Sequence, residues 1–135
     1  MPVAKIHVHE GAFTAERLGK LGLAVQAALE ETLNIPAEDY YRIYHILPDD
    51  QFVHTPAFLG CTYSREFILL ELTFMVSRPK EVRLSLLQAL NSRIVEAIGI
   101  SPDDLVVLLY EVAGENISFG RGLAQRAHIA AGQPS

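Results

Sequence analysis

A proline directly after the first methionine is the residue of this sequence with the most distinctive potential chemistry. As the first residue of a chain, Pro2 would carry a secondary amine held rigidly by its ring. A neutral amine of this kind acts as a general base, and a protonated one polarises a carbonyl group. After losing its proton it also forms an iminium with a carbonyl carbon. Proline is equally tolerated at the start of a strand for structural reasons, so the dipeptide alone leaves both interpretations open.

The charge balance limits the class of partner. The chain has 11 basic and 16 acidic residues and a net charge of −5, whereas a nucleic-acid-binding surface normally shows a basic stripe. A small anion can still bind where a few cations converge, and Arg78 and Lys80 form one close pair. Two solvated charges at a joint between a strand and a helix are the structural alternative for this pair.

Cysteine and histidine usage gives no sign of a metal site or disulfide. Cys61 is the sole cysteine, and no Cys/His spacing resembles a zinc site. His7 and His9 alternate along the first predicted strand, which favours one solvated strand face over a pair of metal ligands. The sequence also shows no signal peptide, no membrane-spanning apolar run and no phosphate-binding glycine motif. We therefore predict a cytoplasmic protein without a metal or other cofactor, in contact with neither membrane nor nucleic acid.

Hydrophobic spacing in the first half of the chain predicts a β-α-β unit. Val3 to His9 alternates like a strand. Thr14 is suited to cap a helix whose apolar residues recur at spacings of three and four, and Asn34 ends that helix. Tyr41 to Leu47 then predicts a second strand.

The second half repeats this order. Phe67 to Val76 predicts a strand, a helix with one apolar stripe ends at Gly99, and Asp104 to Val112 predicts the returning strand. The turns before the second strands correspond at an interval of 65 residues, which aligns Asp39 with Asp104. Because the two aspartates occupy equivalent turns, a capping role would explain both of them.

The repeat predicts one α+β domain over residues 1–135, with repeats at about 2–50 and 67–112 and a C-terminal turn and tail at 113–135. Right-handed crossovers place each helix on the same side of its own strand pair. Two such units side by side make a four-stranded mixed sheet with two helices on one face. We expect the two strands of the second half to be central and apolar on both sides. The uncovered sheet face therefore predicts a homo-oligomer.

Four short runs and Pro2 carry a family resemblance that extends to about Gln125. The runs are Ile35-Pro36-Ala37-Glu38-Asp39-Tyr40-Tyr41-Arg42-Ile43, Ser77-Arg78-Pro79-Lys80, Ser118-Phe119-Gly120-Arg121-Gly122 and Ala124-Gln125. Together with the tandem β-α-β order, they resemble the tautomerase superfamily, and within it malonate semialdehyde decarboxylase and its relatives. The second and third runs are the more specific ones.

The resemblance implies roles for particular residues. It identifies Pro2 as the catalytic amine, Asp39 as the residue that handles water, and Arg78 as the first of two carboxylate-binding arginines. Lys80 stands in place of the second arginine, and a lysine offers a point charge instead of a planar fork. Ile117 stands where the decarboxylase has a tryptophan, which changes one apolar wall of the pocket.

Three further residues are implied to contact the substrate: Tyr41, Phe119 and Arg121. Tyr41 is equally compatible with the core and with a pocket wall. The run that contains Phe119 and Arg121 is also explained as a tight turn that requires positive φ angles. Arg121 is therefore an anion contact only on the functional interpretation.

The implied function is that of a cofactor-free enzyme acting on small anionic oxo acids, most closely a decarboxylase or hydratase of the malonate semialdehyde type, assembled as a homotrimer. One alternative is a keto–enol tautomerase of an aryl pyruvate that does not require Asp39. Another is a non-catalytic oligomeric binding module. The last applies if Met1 is retained, because a proline nitrogen in an amide bond is not basic.

Overall fold

Two β-α-β units, one from each half of the chain, form most of the protein in the computed structural model, which describes residues 1–128. The last residues of the predicted tail, 129–135, lie outside the described part. In chain order the elements are β1 (Val3–His9), α1 (Ala15–Leu33), β2 (Tyr41–Leu47), a 3₁₀ turn (Asp49–Gln51), β3 (Ala57–Phe58), β4 (Cys61–Thr62), β5 (Ile68–Met75), α2 (Lys80–Ile98), a 3₁₀ turn (Pro102–Asp104), β6 (Leu105–Val112) and a 3₁₀ turn (Gly114–Asn116).

Local signals define the ends of both helices. The Thr14 side chain caps α1 by accepting a hydrogen bond from the Arg17 backbone N–H at 3.2 Å. Asn34 ends α1 and Gly99 ends α2, each in the left-handed conformation that such positions require. Neither described helix has an apolar stretch long enough to cross a bilayer.

The four long strands form one mixed sheet in the order β2-β1-β5-β6. Strands β1 and β2 are parallel, as are β5 and β6, whereas the central pair β1 and β5 is antiparallel. The antiparallel pair brings the beginning of the first unit to the end of the second. The first residues of β1 and β2 and the last residues of β5 and β6 therefore lie together at one end of the sheet.

Both helices cover the same face of this sheet, which confirms the predicted α+β architecture. The core between the two layers is made of aliphatic and aromatic side chains, among them Ile6, Val25, Leu70, Phe74 and Leu90, each at most 1% exposed. Full burial of one such side chain stabilises the fold by roughly 1.5–3 kcal/mol.

One expectation about the sheet was wrong. β6 lies at an edge of the sheet, and the central strands are β1 and β5. Hydrophobicity shows that a strand is buried, but the pairing of the two units decides which strand is central. A second difference is the small hairpin of β3 and β4, which we did not predict in the segment between the units.

The uncovered face of the sheet is not continuously apolar. Ile43 on β2 and Leu108 on β6 are 41% and 43% exposed there. The middle of the face instead carries three polar residues. Lys5 on β1 is paired in register with Glu71 on β5, and His7 lies two residues further along β1. The expected apolar surface is therefore interrupted by a polar centre.

Candidate active site

A cavity of about 840 Å³ lies at the end of the sheet where β1 and β2 begin and β5 and β6 end. Its walls come from four parts of the chain: the first residue, the turn between α1 and β2, the segment that joins β5 to α2, and the segment after β6. Because these parts are distant in sequence, the cavity exists only in the folded sheet.

The amino terminus forms one wall of the cavity. Met1 lines it, and its amino group forms an ion pair with the Asp39 carboxylate. The side chains of the two residues are 8% and 27% exposed, respectively. Pro2 follows directly and is buried. The fold thus brings the start of the chain to the side chain of Asp39.

A tight turn between α1 and β2 positions Asp39. The Asp39 backbone N–H donates to the Pro36 carbonyl at 3.1 Å. The side-chain amide of Gln26, which is buried in α1, donates to the Asp39 carbonyl at 3.4 Å. The contact with α1 therefore fixes the backbone of the turn, and the Asp39 carboxylate faces the cavity.

Asp104, the repeat equivalent of Asp39, has a structural role. Its backbone makes the same turn, with a hydrogen bond from its N–H to the Ser101 carbonyl at 3.0 Å. Its side chain, however, is buried and accepts hydrogen bonds from the Ser64 N–H at 2.7 Å and hydroxyl at 2.6 Å. The two turns are alike, but only one aspartate lines the cavity.

Arg78 supplies a positive charge to a second wall. Its guanidinium donates to the Leu33 carbonyl at 3.1 Å and to the Ser77 hydroxyl. Burial lowers the pKa of Arg78 from its ordinary value, but that value is high enough that the group keeps its charge. The hydrogen bonds hold the guanidinium beside the end of α1, at the cavity.

Arg126 also lines the cavity, and we did not predict it from the sequence. Burial lowers the pKa of the Met1 amino group, and the positive charge of Arg126 lowers it further. The family resemblance ends at Gln125, one residue earlier, so no motif pointed to Arg126. Its position after a glycine-rich turn, with no apolar pattern around it, was the only available signal.

The other predicted substrate contacts divide into two groups. Tyr41 and Phe119 line the cavity together with Asp39 and Arg78. Lys80, Ile117 and Arg121 are not among its lining residues within a single chain; Lys80 and Arg121 are exposed and Ile117 is half-buried. Their roles in substrate binding stay predictions.

The chain also matches a known protein family. Residues 38–120 match the family model described as tautomerase enzyme. The chain belongs to this tautomerase family. The matched segment includes Asp39 and Arg78 but begins after Pro2, so the family match does not bear on the amino-terminal residue.

Two curated relatives of this chain come from Bacillus subtilis (strain 168). The probable tautomerase YusQ is 29% identical over 125 residues, which cover 93% of this chain and 98% of the relative. The probable tautomerase YrdN is also 29% identical over 125 residues, covering 93% and 95% of the two chains.

Solved structures with the same fold include two malonate semialdehyde decarboxylases. One, determined to explain decarboxylase and hydratase activities, superposes on this chain with a TM-score of 0.82 at 27% identity, covering 90% of this chain and 93% of the other. The second, inhibited by 3-bromopropiolate, has a TM-score of 0.82 at 25% identity, covering 91% and 92%. A fused 4-OT symmetric trimer has a TM-score of 0.76 at 20% identity, covering 93% and 98%.

Proposed function

We propose that the protein is a cofactor-free enzyme that uses the amine of Pro2 to act on small oxo acids, as a decarboxylase or hydratase of the malonate semialdehyde type. The observation that carries this proposal is that the amino terminus, Asp39 and Arg78 line one cavity. An amine, a carboxylate and a guanidinium are the groups needed to activate a carbonyl, handle water and bind a carboxylate.

The proposed activity requires removal of Met1. The Met1 amino group already lies in the cavity beside Asp39, and the Pro2 nitrogen is one residue further along the chain. Pro2 itself is buried and is not a lining residue; without Met1, its ring nitrogen becomes the terminal amine, one residue along the chain from the wall that Met1 now forms. A small oxo acid could then reach it.

In the decarboxylation of a 3-oxo acid, Arg78 would hold the carboxylate and the protonated Pro2 amine would donate a hydrogen bond to the 3-oxo oxygen. The bond between the carboxylate carbon and C2 breaks, and its electron pair forms the C2–C3 double bond of an enol. The 3-oxo oxygen takes the proton from the amine, and carbon dioxide leaves. The enol then becomes the aldehyde by taking a proton at C2 from a water molecule that Asp39 positions; solvent replaces that proton, and the amine regains its own proton from the enol oxygen.

Hydration of an unsaturated acid would use the Asp39 carboxylate. Asp39 would accept a proton from a water molecule, whose oxygen adds to the β-carbon, and the protonated amine would supply the proton that the α-carbon takes. The ion pair between Asp39 and the Met1 amino group supports this assignment, because the Pro2 nitrogen is only one residue along the chain from that group.

Keto–enol tautomerisation is the second candidate, favoured by the two Bacillus relatives that are named probable tautomerases. A neutral Pro2 amine would remove a proton from one position of the substrate and return it at another. That reaction needs no activated water, so it does not require Asp39.

The variant Asp39→Asn separates the two candidates. We expect decarboxylation and hydration to fall by about a hundredfold, the usual range for loss of a proton-transfer group, while tautomerisation changes by less than about twofold. Decarboxylation is measured on malonate semialdehyde, hydration on an α,β-unsaturated acid and tautomerisation on phenylenolpyruvate. Asp50→Asn, at an exposed position outside the cavity, is the matched control. An equal loss on all substrates would contradict the assignment of Asp39 to water.

We also propose that the uncovered sheet face forms the contacts of a homotrimer. The exposed side chains of Ile43 and Leu108 on this face support an interface, as does the trimeric assembly of the fused 4-OT protein. The polar centre is compatible with burial. Glu71 accepts hydrogen bonds from His7 at 2.6 Å and from Tyr110 at 3.0 Å, and the bond from His7 is the main cause of its lowered pKa.

A lysine on this face should prevent assembly. We expect Leu108→Lys to give a monomer by light scattering at micromolar concentration, because three unpaired charges would be buried at the interface. Leu84→Lys is the matched control, since Leu84 is exposed to a similar extent on α2. A wild-type protein that is already monomeric at this concentration would disprove the trimer.

A further inference from the structure

Arg126 is a second guanidinium at the candidate active site, and the proposed reaction does not use it. It lines the cavity that also contains the amino terminus and Arg78. Its side chain is exposed, and among residues 1–128 no hydrogen bond or ion pair engages it. By contrast, the Met1 amino group is already balanced by Asp39.

The fold holds Arg126 in place through its backbone. A Cβ atom added to the buried Gly114 would lie 2.3 Å from the Arg126 carbonyl oxygen, so these two backbones are in close contact. Gly114 comes just after β6, and the absence of a side chain there is what permits the approach. The position of Arg126 is thus set by the end of the sheet.

Gln125 fixes the turn that precedes Arg126. Its side-chain oxygen accepts a hydrogen bond from the Phe119 N–H at 3.0 Å, and its side-chain amide donates to the Gly120 carbonyl at 3.1 Å. Phe119 and Arg126 therefore reach the cavity from the two ends of one braced turn. These hydrogen bonds hold Arg126 at the cavity wall.

We infer that Arg126 binds a second anionic group of the substrate, so that the preferred substrates are oxo acids with two carboxylates. This inference rests on the proposed function. Arg78, on the segment after β5, would take the carboxylate next to the reacting carbon. Arg126, on the segment after β6, would take the one at the far end. A guanidinium is suited to this task because its planar fork matches a carboxylate.

A pair of unreactive acids tests the inference by binding alone. Glutarate and pentanoate have the same number of carbons and differ in one carboxylate. With protein from which Met1 has been removed, isothermal titration should show glutarate binding about tenfold more tightly than pentanoate. Arg126→Met should remove that advantage and leave pentanoate affinity within about twofold. Arg126→Lys, which keeps the charge, should restore part of it.

Two further variants give the experiment its controls. Arg93→Met removes an arginine that pairs with Glu31 outside the cavity lining, and it should leave both affinities unchanged. Arg78→Met should weaken both acids. Suppose that Arg78→Met weakens the binding of both acids. If Arg126→Met then weakens the binding of neither acid, or of both acids equally, the inference is wrong and the proposed function stands. If Arg78→Met weakens neither acid, the proposed carboxylate site is itself wrong.

Discussion

Turnover should appear only after Met1 has been removed, and the chain that retains Met1 should be at least about a thousandfold slower. The physical reason is that an amide nitrogen is not basic and cannot act as acid, base or nucleophile, so the loss combines proton transfer with carbonyl activation. One preparation, assayed for acetaldehyde from malonate semialdehyde before and after aminopeptidase treatment, measures the effect. Intact-mass spectrometry reports the fraction that is processed.

The two forms should have the same circular dichroism spectrum, because Met1 precedes β1 and the core does not depend on it. The processed Pro2→Ala variant keeps a terminal amine without the ring, and we expect intermediate activity. Equal turnover before and after processing would show that the amine is not catalytic. A natural protein that is fully methionylated would favour a non-catalytic binding module.

The pH profile of the processed enzyme distinguishes the two candidate reactions. Burial and the charge of Arg126 lower the pKa of the Met1 amine, and we expect the same influences on the Pro2 amine that replaces it. Tautomerisation by the neutral amine should rise as pH passes upward through this pKa, whereas decarboxylation by the protonated amine should fall.

Replacement of Arg78 by methionine should lower kcat/KM for oxo acids by about a hundredfold or more. Removing one partner of a hydrogen-bonded, partly buried charge pair costs on the order of 2–5 kcal/mol, which corresponds to this range. Steady-state kinetics on malonate semialdehyde measure the loss. Arg93→Met, at an exposed ion pair on α2, removes the same charge elsewhere and should leave kcat/KM unchanged.

A structural role for Arg78 would give a different pattern. Its hydrogen bond to the Leu33 carbonyl stabilises the end of α1, so Arg78→Met should also lower the free energy of unfolding by about 1 kcal/mol. Arg78→Lys keeps the charge but not the fork, and should recover only part of the activity. If Arg78→Met lowers the melting temperature and leaves kcat/KM unchanged, Arg78 is a structural residue.

The secondary structure was largely predictable because its signals are local. Thr14, Asn34 and Gly99 act within one turn of the helices they terminate. The duplication was equally visible: β1 and β5 begin 65 residues apart, at Val3 and Ile68, and α1 and α2 begin at the same interval. Local hydrogen bonds and hydrophobic periodicity need no knowledge of the rest of the chain.

The candidate site was only partly predictable. The family resemblance pointed to Asp39 and Arg78, which the fold brings to one cavity. The repeat pattern alone treats Asp39 and Asp104 as equivalent, and nothing in either turn reveals that one carboxylate meets the amino terminus while the other binds Ser64. Arg126 had no motif, because its place depends on contact with Gly114.

Local sequence signals are sufficient to predict the two β-α-β units, their approximate boundaries and the residue types available for chemistry. The antiparallel pairing of β1 and β5 at the centre of the sheet is visible only in the folded protein. This pairing makes β6 an edge strand and brings the start of one unit to the end of the other. The reason is that strand pairing between the units depends on contacts across the whole sheet. No local pattern encodes which ends of the strands will share an edge.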